Sequence, residues 1–184
     1  MTELSLNVLD IAQNSIRAGA SLTEIRVEAD TTADRLNIEI KDNGCGMTKE
    51  QVNRVIDPFY TTRTTRKVGL GVSFFKLAAE TAGGNFSIQS EPGIGTTVTA
   101  TFGLTHIDRM PLGDISSTIW TLITMNPTLD FVFEYRVDKN SFTLDTREMR
   151  EILGGVPLNT PDVAAYIKEY LNENKAEVDG QTVL

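Results

Sequence analysis

Four polar side chains recur at one-turn spacing near the start of the chain: Asn7, Asp10, Asn14 and Arg17. On a helix they fall within one arc of about 80°, and Leu4, Val8, Leu9, Ile11, Ala12 and Ile16 cover the opposite side. An amide oxygen and a carboxylate one turn apart, with a guanidinium beside them, can hold Mg²⁺, a water and phosphate oxygens. A solvated helix face presents the same residue types, so the rest of the chain must decide. The stretch "KDNGCGMT" (41–48) holds the Asp42 carboxylate next to Gly44 and Gly46, where the backbone carries no side chains. The stretch "DPFYTTRTTRKVGLG" (57–71) puts Arg63, Arg66 and Lys67 within five residues of an acidic protein. Thr61 and Thr62 are two of its four threonines, Gly69, Leu70 and Gly71 close it, and a helix N-terminus with free N–H groups follows. Taken alone, a glycine-rich loop is weak evidence for an anion site. Third in order after the polar helix face and the Asp-Gly turn, it is strong.

These residues need elements to position them. A helix is predicted over 5–18, ending at Gly19 as a favourable C′ residue. "EIRVEA" and "LNIEI" alternate apolar and polar residues across "DTTADR", the pattern of a half-buried hairpin. Thr48 and Gln51 have the spacing of a capping box at the start of a short helix, 48–56. "GVSFFKLAAETAGG" reads as a helix closed by glycine, and "NFSIQSE" and "TTVTATF" as a second hairpin around "PGIG". Beyond Phe102 the pattern becomes a helix over 112–125, two strands around an Asp138–Asn140 turn, and an amphipathic helix that starts at Thr160-Pro161. A boundary near 104 leaves a core of about 100 residues and a second unit of about 80, small enough that it is expected to pack on the first.

Composition narrows the functional classes. A net charge of −8 argues against a broad nucleic-acid or anionic-membrane surface. The single cysteine excludes an internal disulfide and fits a reducing cytosol. The start lacks a secretory signal, and no apolar run approaches the ~18–20 residues that span a bilayer. No cluster of His and Cys offers metal ligands.

Over residues 4–104 the sequence resembles the ATPase superfamily of gyrase, heat-shock chaperones, histidine kinases and mismatch-repair ATPases. "LDIAQNSIRAGA" is similar to its N box, "DNGCGM" to the first glycine box, "DPFYTTR" to the phenylalanine box, "GLGVS" to the second glycine box and "GIGTT" to the last. The resemblance implies that Asp42 accepts from the adenine amino group while Gly44 and Gly46 let the purine lie against bare backbone. It implies Asn14 as the Mg²⁺ ligand, and Arg17 and the 61–67 segment as phosphate contacts. Thr97, or its neighbour Thr96, would support adenine. Asp10 stands where hydrolysing relatives carry a water-activating glutamate, one methylene longer. Cys45 reads as a small packing residue. "NSIRAGA" and "DNGCGM" are similar to the mismatch-repair branch, which carries an acidic residue where Arg17 stands; Arg17, "DPFYTTR", the short 57–71 segment and the run from Gly69 to Phe102, a longer and closer set, resemble the histidine-kinase branch. Ala18 stands where many kinases carry an aromatic that stacks on adenine. The chain starts almost at the N box, so the preceding strand and the usual dimerisation hairpin are expected to be missing.

The only histidine opens "HIDRMPLGDI". His106, Arg109, Pro111 and Leu112 keep the spacing of a kinase phosphoacceptor box, but Ile107 replaces the acidic neighbour and the box lies on the far side of the ATPase region. A linker histidine is the favoured reading. Trp120, Phe131, Phe133 and Tyr135 are expected to pack in the core and at the contact between the two parts. The whole is expected to be an α/β two-layer sandwich, with a mixed, largely antiparallel sheet and helices on one face. Its expected function is cytoplasmic Mg·ATP binding coupled to phosphoryl transfer or slow hydrolysis that regulates a partner protein. The alternative is a nucleotide-responsive binding module without catalysis. The oligomeric state stays open.

Overall fold

The computed structural model describes residues 3–57 and 70–184. The alternating strand patterns assemble into one six-stranded sheet with order β3-β4-β2-β1-β5-β6. The first hairpin pairs β1 (Leu22–Asp30) with β2 (Arg35–Asp42), and the second pairs β3 (Phe86–Glu91) with β4 (Gly95–Gly103). β4 lies antiparallel on β2. Beyond residue 104, β5 (Asp130–Val137) lies parallel on β1, and β6 (Asn140–Asp145) completes a third hairpin. β1·β5 is the one parallel ladder, so the sheet is mixed and largely antiparallel, as expected.

Period-two alternation decides which face is covered. In β1 the buried residues are Thr23, Ile25, Val27 and Ala29; in β2 they are Leu36, Ile38 and Ile40. The other face is polar and carries cross-strand ion pairs, Arg26 meeting Glu134 at 2.9 Å and Glu39 at 3.4 Å. The apolar face is covered by α1 (Leu4–Arg17), α3 (Gly71–Thr81), α4 (Ile115–Met125) and α6 (Pro161–Asp179). One continuous core runs beneath them, from Leu4 and Val8 through Phe75 and Phe102 to Phe131, Phe133 and Tyr135.

Local signals set the helix ends. Thr48 accepts from Gln51 N while the Gln51 side chain accepts from Thr48 N, so α2 (Lys49–Ile56) has the expected capping box. Gly19 follows α1 with φ +74°, a left-handed turn that a side chain would strain. α4 starts three residues later than expected, where Asp114 accepts from Ser117 N. A seven-residue helix, α5 (Thr146–Ile152), follows β6 and was not anticipated, because "TREMREI" is too short to show a helical period.

Candidate functional site

Strand parity aims the key carboxylate. Asp42 follows Leu36, Ile38 and Ile40 at two-residue steps, so its side chain leaves β2 on the helix-covered face. There Oδ2 accepts from Ser15 Oγ of α1 at 2.6 Å, and Oδ1 accepts from Gly44 N at 2.9 Å. Each carboxylate oxygen has two lone pairs, so the group can still accept from a ligand amine.

Glycine is required around Asp42 by the protein's own packing. A Cβ on Gly44 would fall 2.9 Å from Ala18 Cβ and 3.0 Å from Asp42 Oδ1. A Cβ on Gly46, whose φ is +67°, would fall 1.9 Å from Glu91 O. The loop is therefore clamped between α1 and the end of β3, and Cys45 N donates to Ala18 O at 2.9 Å. Cys45 itself is exposed rather than packed, because it bulges between two glycines that lie against neighbours.

A cavity of about 330 Å³ opens beside this loop. Ile11, Val55, Val72, Ile88 and Val98 give it apolar walls, with Asp42 and Thr96 among its polar groups. Thr96 faces Asp42 across the β2·β4 ladder and shares parity with the buried Val98, Ala100 and Phe102. Its Oγ1 lies 2.8 Å from Ser90 Oγ, which also accepts from Met47 N. Thr97 has the opposite parity and lines a neighbouring depression, which also touches Asp42 and Thr96, with Glu24, Lys41 and Gln89. Of the two threonines, only Thr96 lines the cavity of about 330 Å³ beside the glycine loop.

Asn14, Arg17 and Ala18 of α1 also line the cavity, and Arg17 Nη1 donates to Asn14 Oδ1 at 3.0 Å. One turn earlier, Asp10 lies against the start of α3: a Cβ on Gly71 would fall 2.8 Å from Asp10 Cβ and 3.3 Å from Oδ2. Gly71 thus lets the two helices meet at the carboxylate. Leu70 N-caps α3 and is exposed. Asn7 departs from the polar-face expectation. It is fully buried against α3, and neither amide atom has a hydrogen-bond partner among the described residues. An apolar cavity with a carboxylate at one end, and an amide, a guanidinium and a second carboxylate along one helix, can take a flat ring bearing an amine and a charged tail.

The structure does not bring His106 to this cavity. From Thr96 to Gly103, β4 covers about 23 Å at strand rise, and His106 follows its far end. There the imidazole Nδ1 accepts from Asp108 N at 3.2 Å, and the ring lies over Gly83. Arg109 ties the turn down by donating to Leu104 O and Met110 O, and burial lowers its pKa. Thr61, Thr62, Arg63, Arg66, Lys67 and Gly69 lie outside the described residues. Two site residues went unrecognised in the sequence. Ser90 gives no signal there, whereas Ser15 follows Asn14 directly and points inward at helical spacing from Ile11.

Among described residues no three His, Cys, Asp or Glu side chains form a metal-holding group, and no helix is long and apolar enough to cross a membrane. The model of the family described as histidine kinase-, DNA gyrase B- and HSP90-like ATPase matches residues 2–106. The non-motile and phage-resistance protein of Caulobacter vibrioides is 31% identical over 111 residues, covering 55% of this chain and 13% of that protein. The sensor histidine kinase YvrG of Bacillus subtilis is 29% identical over 93 residues, covering 48% and 16%. The sensor protein SrrB of Staphylococcus aureus is 32% identical over 102 residues, covering 53% and 17%. The matched region is thus a small part of each of these relatives. Among solved structures, the N-terminal domain of a DNA repair protein aligns with a TM-score of 0.56 at 16% identity, covering 97% of this chain and 57% of that one. The Aquifex aeolicus MutL ATPase domain complexed with ADP aligns with a TM-score of 0.51 at 16% identity, covering 84% and 70%. At that identity the two structures speak for the fold alone. The family model spans more than half of the residues, and the chain belongs to the histidine kinase-, DNA gyrase B- and HSP90-like ATPase family.

Proposed function

We propose that this protein binds Mg·ATP in the cytosol and couples it to phosphoryl transfer or slow hydrolysis that regulates a partner protein. The observation that carries this reading is the Asp42 carboxylate, held by Ser15 and Gly44 at the end of an apolar cavity with lone pairs to spare. It would accept from the adenine amine, with Thr96 and the exposed backbone around Cys45 and Gly46 flanking the ring.

Arg17, Asn14 and Asp10 lie along the same helix face, and a nucleotide seated on Asp42 would run its phosphates past them. Asn14 Oδ1 accepts from Arg17; released from that bond, it would coordinate a cation. The donor set is one amide oxygen, which fits Mg²⁺ brought with the nucleotide rather than a resident ion; bound there, the metal would neutralise charge on the phosphates. Arg17, together with Arg63, Arg66 and Lys67 of the 57–71 segment, would neutralise more. Asp10, set against Gly71, would take a proton from the attacking group, which is water in hydrolysis or an acceptor side chain in transfer.

Incubation with γ-labelled ATP, following protein-bound label and free phosphate together, tests the proposal. Label on a partner supports transfer, and free phosphate above background supports hydrolysis. Neither, in a protein that still binds ATP, would replace the catalytic reading by a nucleotide-responsive binding module.

A further inference from the structure

β6 is the last strand of the sheet, and its outer edge borders a groove. Val137 and Asn140 close the two-residue loop Asp138-Lys139. Such a loop closes on a hydrogen-bonded pair, and bonded and non-bonded pairs then alternate along the ladder. Phe142 and Leu144 therefore bond to β5, while Ser141, Thr143 and Asp145 turn their N–H and C=O groups away from the sheet. None of these outward groups has a main-chain partner among the described residues.

Beside this edge is a cavity of about 290 Å³ between β6, α5 and α6. Leu144, Met149 and Leu153 form its apolar interior and Tyr166 and Tyr170 one wall. The wall is held by ring contacts, Tyr166 to Tyr170 at 6.2 Å and Tyr170 to Phe142 at 6.3 Å. Ile152, at the rim, is 83% exposed and Tyr166 is 54% exposed. An unpaired strand edge alone is common, and so is an exposed isoleucine. Their meeting at an aromatic-walled groove is the geometry in which an added strand satisfies its main chain and drops alternate side chains into pockets.

The surrounding charges specify the occupant. The cations of α5 and α6 are engaged: Arg147 with Asp145 at 2.6 Å, Arg150 with Asp130, Lys175 with Asp179 at 2.5 Å, and Lys168 over the Trp120 ring at 5.1 Å. Arg136, paired with Ser141 on the polar face of the sheet, and Lys139 in the hairpin loop have no ion pair among the described residues. Glu148 lines the groove without an ion pair among the described residues. On α6, Asp162, Glu169 and Glu173 share an arc of about 100° with Tyr166 and Tyr170, and none of the three has an ion pair among those residues either. The groove is thus apolar inside, and its rim on α5 and α6 is acidic. A second copy of this chain would set the same acids against themselves in a protein of net charge −8. A helix has no main-chain groups to offer Ser141 and Thr143.

We propose that the groove beside β6 docks an extended segment of a partner protein that pairs with the outward main-chain groups of Ser141 and Thr143, its residues facing α5 and α6 being apolar over the groove and Lys or Arg at the rim. This docking requires no nucleotide, so its test is independent of the ATP reading. The full chain is used to select from a displayed library of random twelve-residue peptides, with Thr143→Pro as the counter-target. Proline removes the outward N–H of Thr143 and leaves the bonds to β5 intact. Enrichment on the wild type of sequences with apolar residues at alternate positions, flanked in the same register by Lys or Arg, is expected. A synthesised winner should bind about tenfold more weakly to Thr143→Pro, to Tyr166→Ala and to the Glu169→Lys, Glu173→Lys double variant. Tyr166 is half exposed and the two glutamates lie on the surface, so those variants keep the test decisive should Thr143→Pro fail to fold. Absence of any enriched family, acidic winners, or winners that bind all three variants as well as the wild type would overturn the proposal. So would a dimer in sedimentation that dissociates on Thr143→Pro, since the edge would then serve a second copy.

Discussion

Replacing Asp42 by asparagine separates the ligand role of this residue from its structural role. The carboxylate makes two hydrogen bonds inside the protein, Ser15 Oγ to Oδ2 and Gly44 N to Oδ1. An asparagine can keep both: its oxygen accepts from Gly44 N, and its NH₂ donates to Ser15 Oγ, whose hydroxyl can turn towards Ile11 O, already 3.4 Å away. The fold should therefore be nearly indifferent, with little change in the melting temperature of the free protein. A bound adenine meets a different group. In the wild type its amino N–H finds a spare lone pair on Oδ2, whereas in the variant a second N–H stands in that place. Losing the acceptor and leaving a desolvated donor should cost about 1–3 kcal/mol, or roughly 5- to 150-fold in Kd. Isothermal calorimetry of Mg·ATP and of ADP, with thermal melts of both apoproteins, measures each part. Equal Kd values at equal stability would refute the assignment of Asp42 to the adenine. A large fall in apo stability would show that the carboxylate is first a structural anchor for the 43–47 loop.

Asn7 is fully buried with no hydrogen-bond partner among the described residues, so Asn7→Leu should raise stability by about 1–3 kcal/mol in urea denaturation. A loss would mean that the amide is bonded after all. Burial, and then the 2.5 Å bond to Asp179, hold the Tyr135 phenol neutral well above its ordinary range. Its folded-state pKa is raised, so the stability it contributes is complete below about pH 10 and lost as pH rises beyond it, at up to about 1.4 kcal/mol per pH unit. Stability measured from pH 8 to 11 should fall less steeply in Tyr135→Phe, and equal slopes would count against a buried neutral phenol. Asp10→Asn should reduce hydrolysis or transfer by about 10²–10⁴-fold and leave ATP affinity nearly unchanged, because a general base acts mainly in the transition state. Equal losses in affinity and rate would make Asp10 a binding residue.

What the sequence disclosed depended on the range of the interaction. The capping box of α2, the Gly19 turn and all three hairpins are set within a few residues, and each appears where local chemistry put it. Asp42 could be aimed at the covered face by counting from Leu36 along one strand. The same count applied back from Val98 separates Thr96 from Thr97. Burial of Asn7 could not be read this way, because it depends on α3 crossing α1, and Asn7 has the same polar character as Asn14 on the same arc. The Ser15–Asp42 bond joins residues 27 apart, and the Arg26–Glu134 pair on the joined strands β1 and β5 is separated by 108. No local pattern encodes either. Gly44 and Gly46 were legible as glycines that had to be glycine, though the atoms excluding their side chains belong to Ala18 and Glu91 rather than to a ligand.

Residues on both sides of the boundary expected near residue 104 support the site helix, and this leads to a prediction about cutting there. α1 carries Asp10, Asn14, Ser15 and Arg17, yet its N-cap residue, Glu3, makes no side-chain cap bond. Its first N–H groups are instead satisfied from beyond the boundary, Leu4 N donating to Pro111 O at 2.9 Å and Ser5 N to Leu112 O at 2.8 Å. The same turn is packed by α4, where Thr118 Oγ1 donates to Ser5 O at 3.4 Å. β1 would also lose the parallel partner that runs from Leu22↔Asp130 to Ala29↔Val137. Removing residues 105–184 would leave two buried donors unpaired, at about 1–3 kcal/mol each. It would also expose the cluster of Leu4, Val8 and Val27 that now continues into Ile115, Ile119, Phe131 and Phe133. Against a total stability of about 5–15 kcal/mol, losses of that kind leave little margin. A protein ending at residue 104 should therefore show a broadened or absent thermal transition, and amide exchange in α1 should be faster than in the β2·β4 ladder. Nucleotide binding should weaken with it, although every residue assigned to the cavity is still present. A 1–104 fragment that melts cooperatively and binds ATP as the full chain does would show that α1 holds its own N-terminus, and that the following residues are an independent attachment.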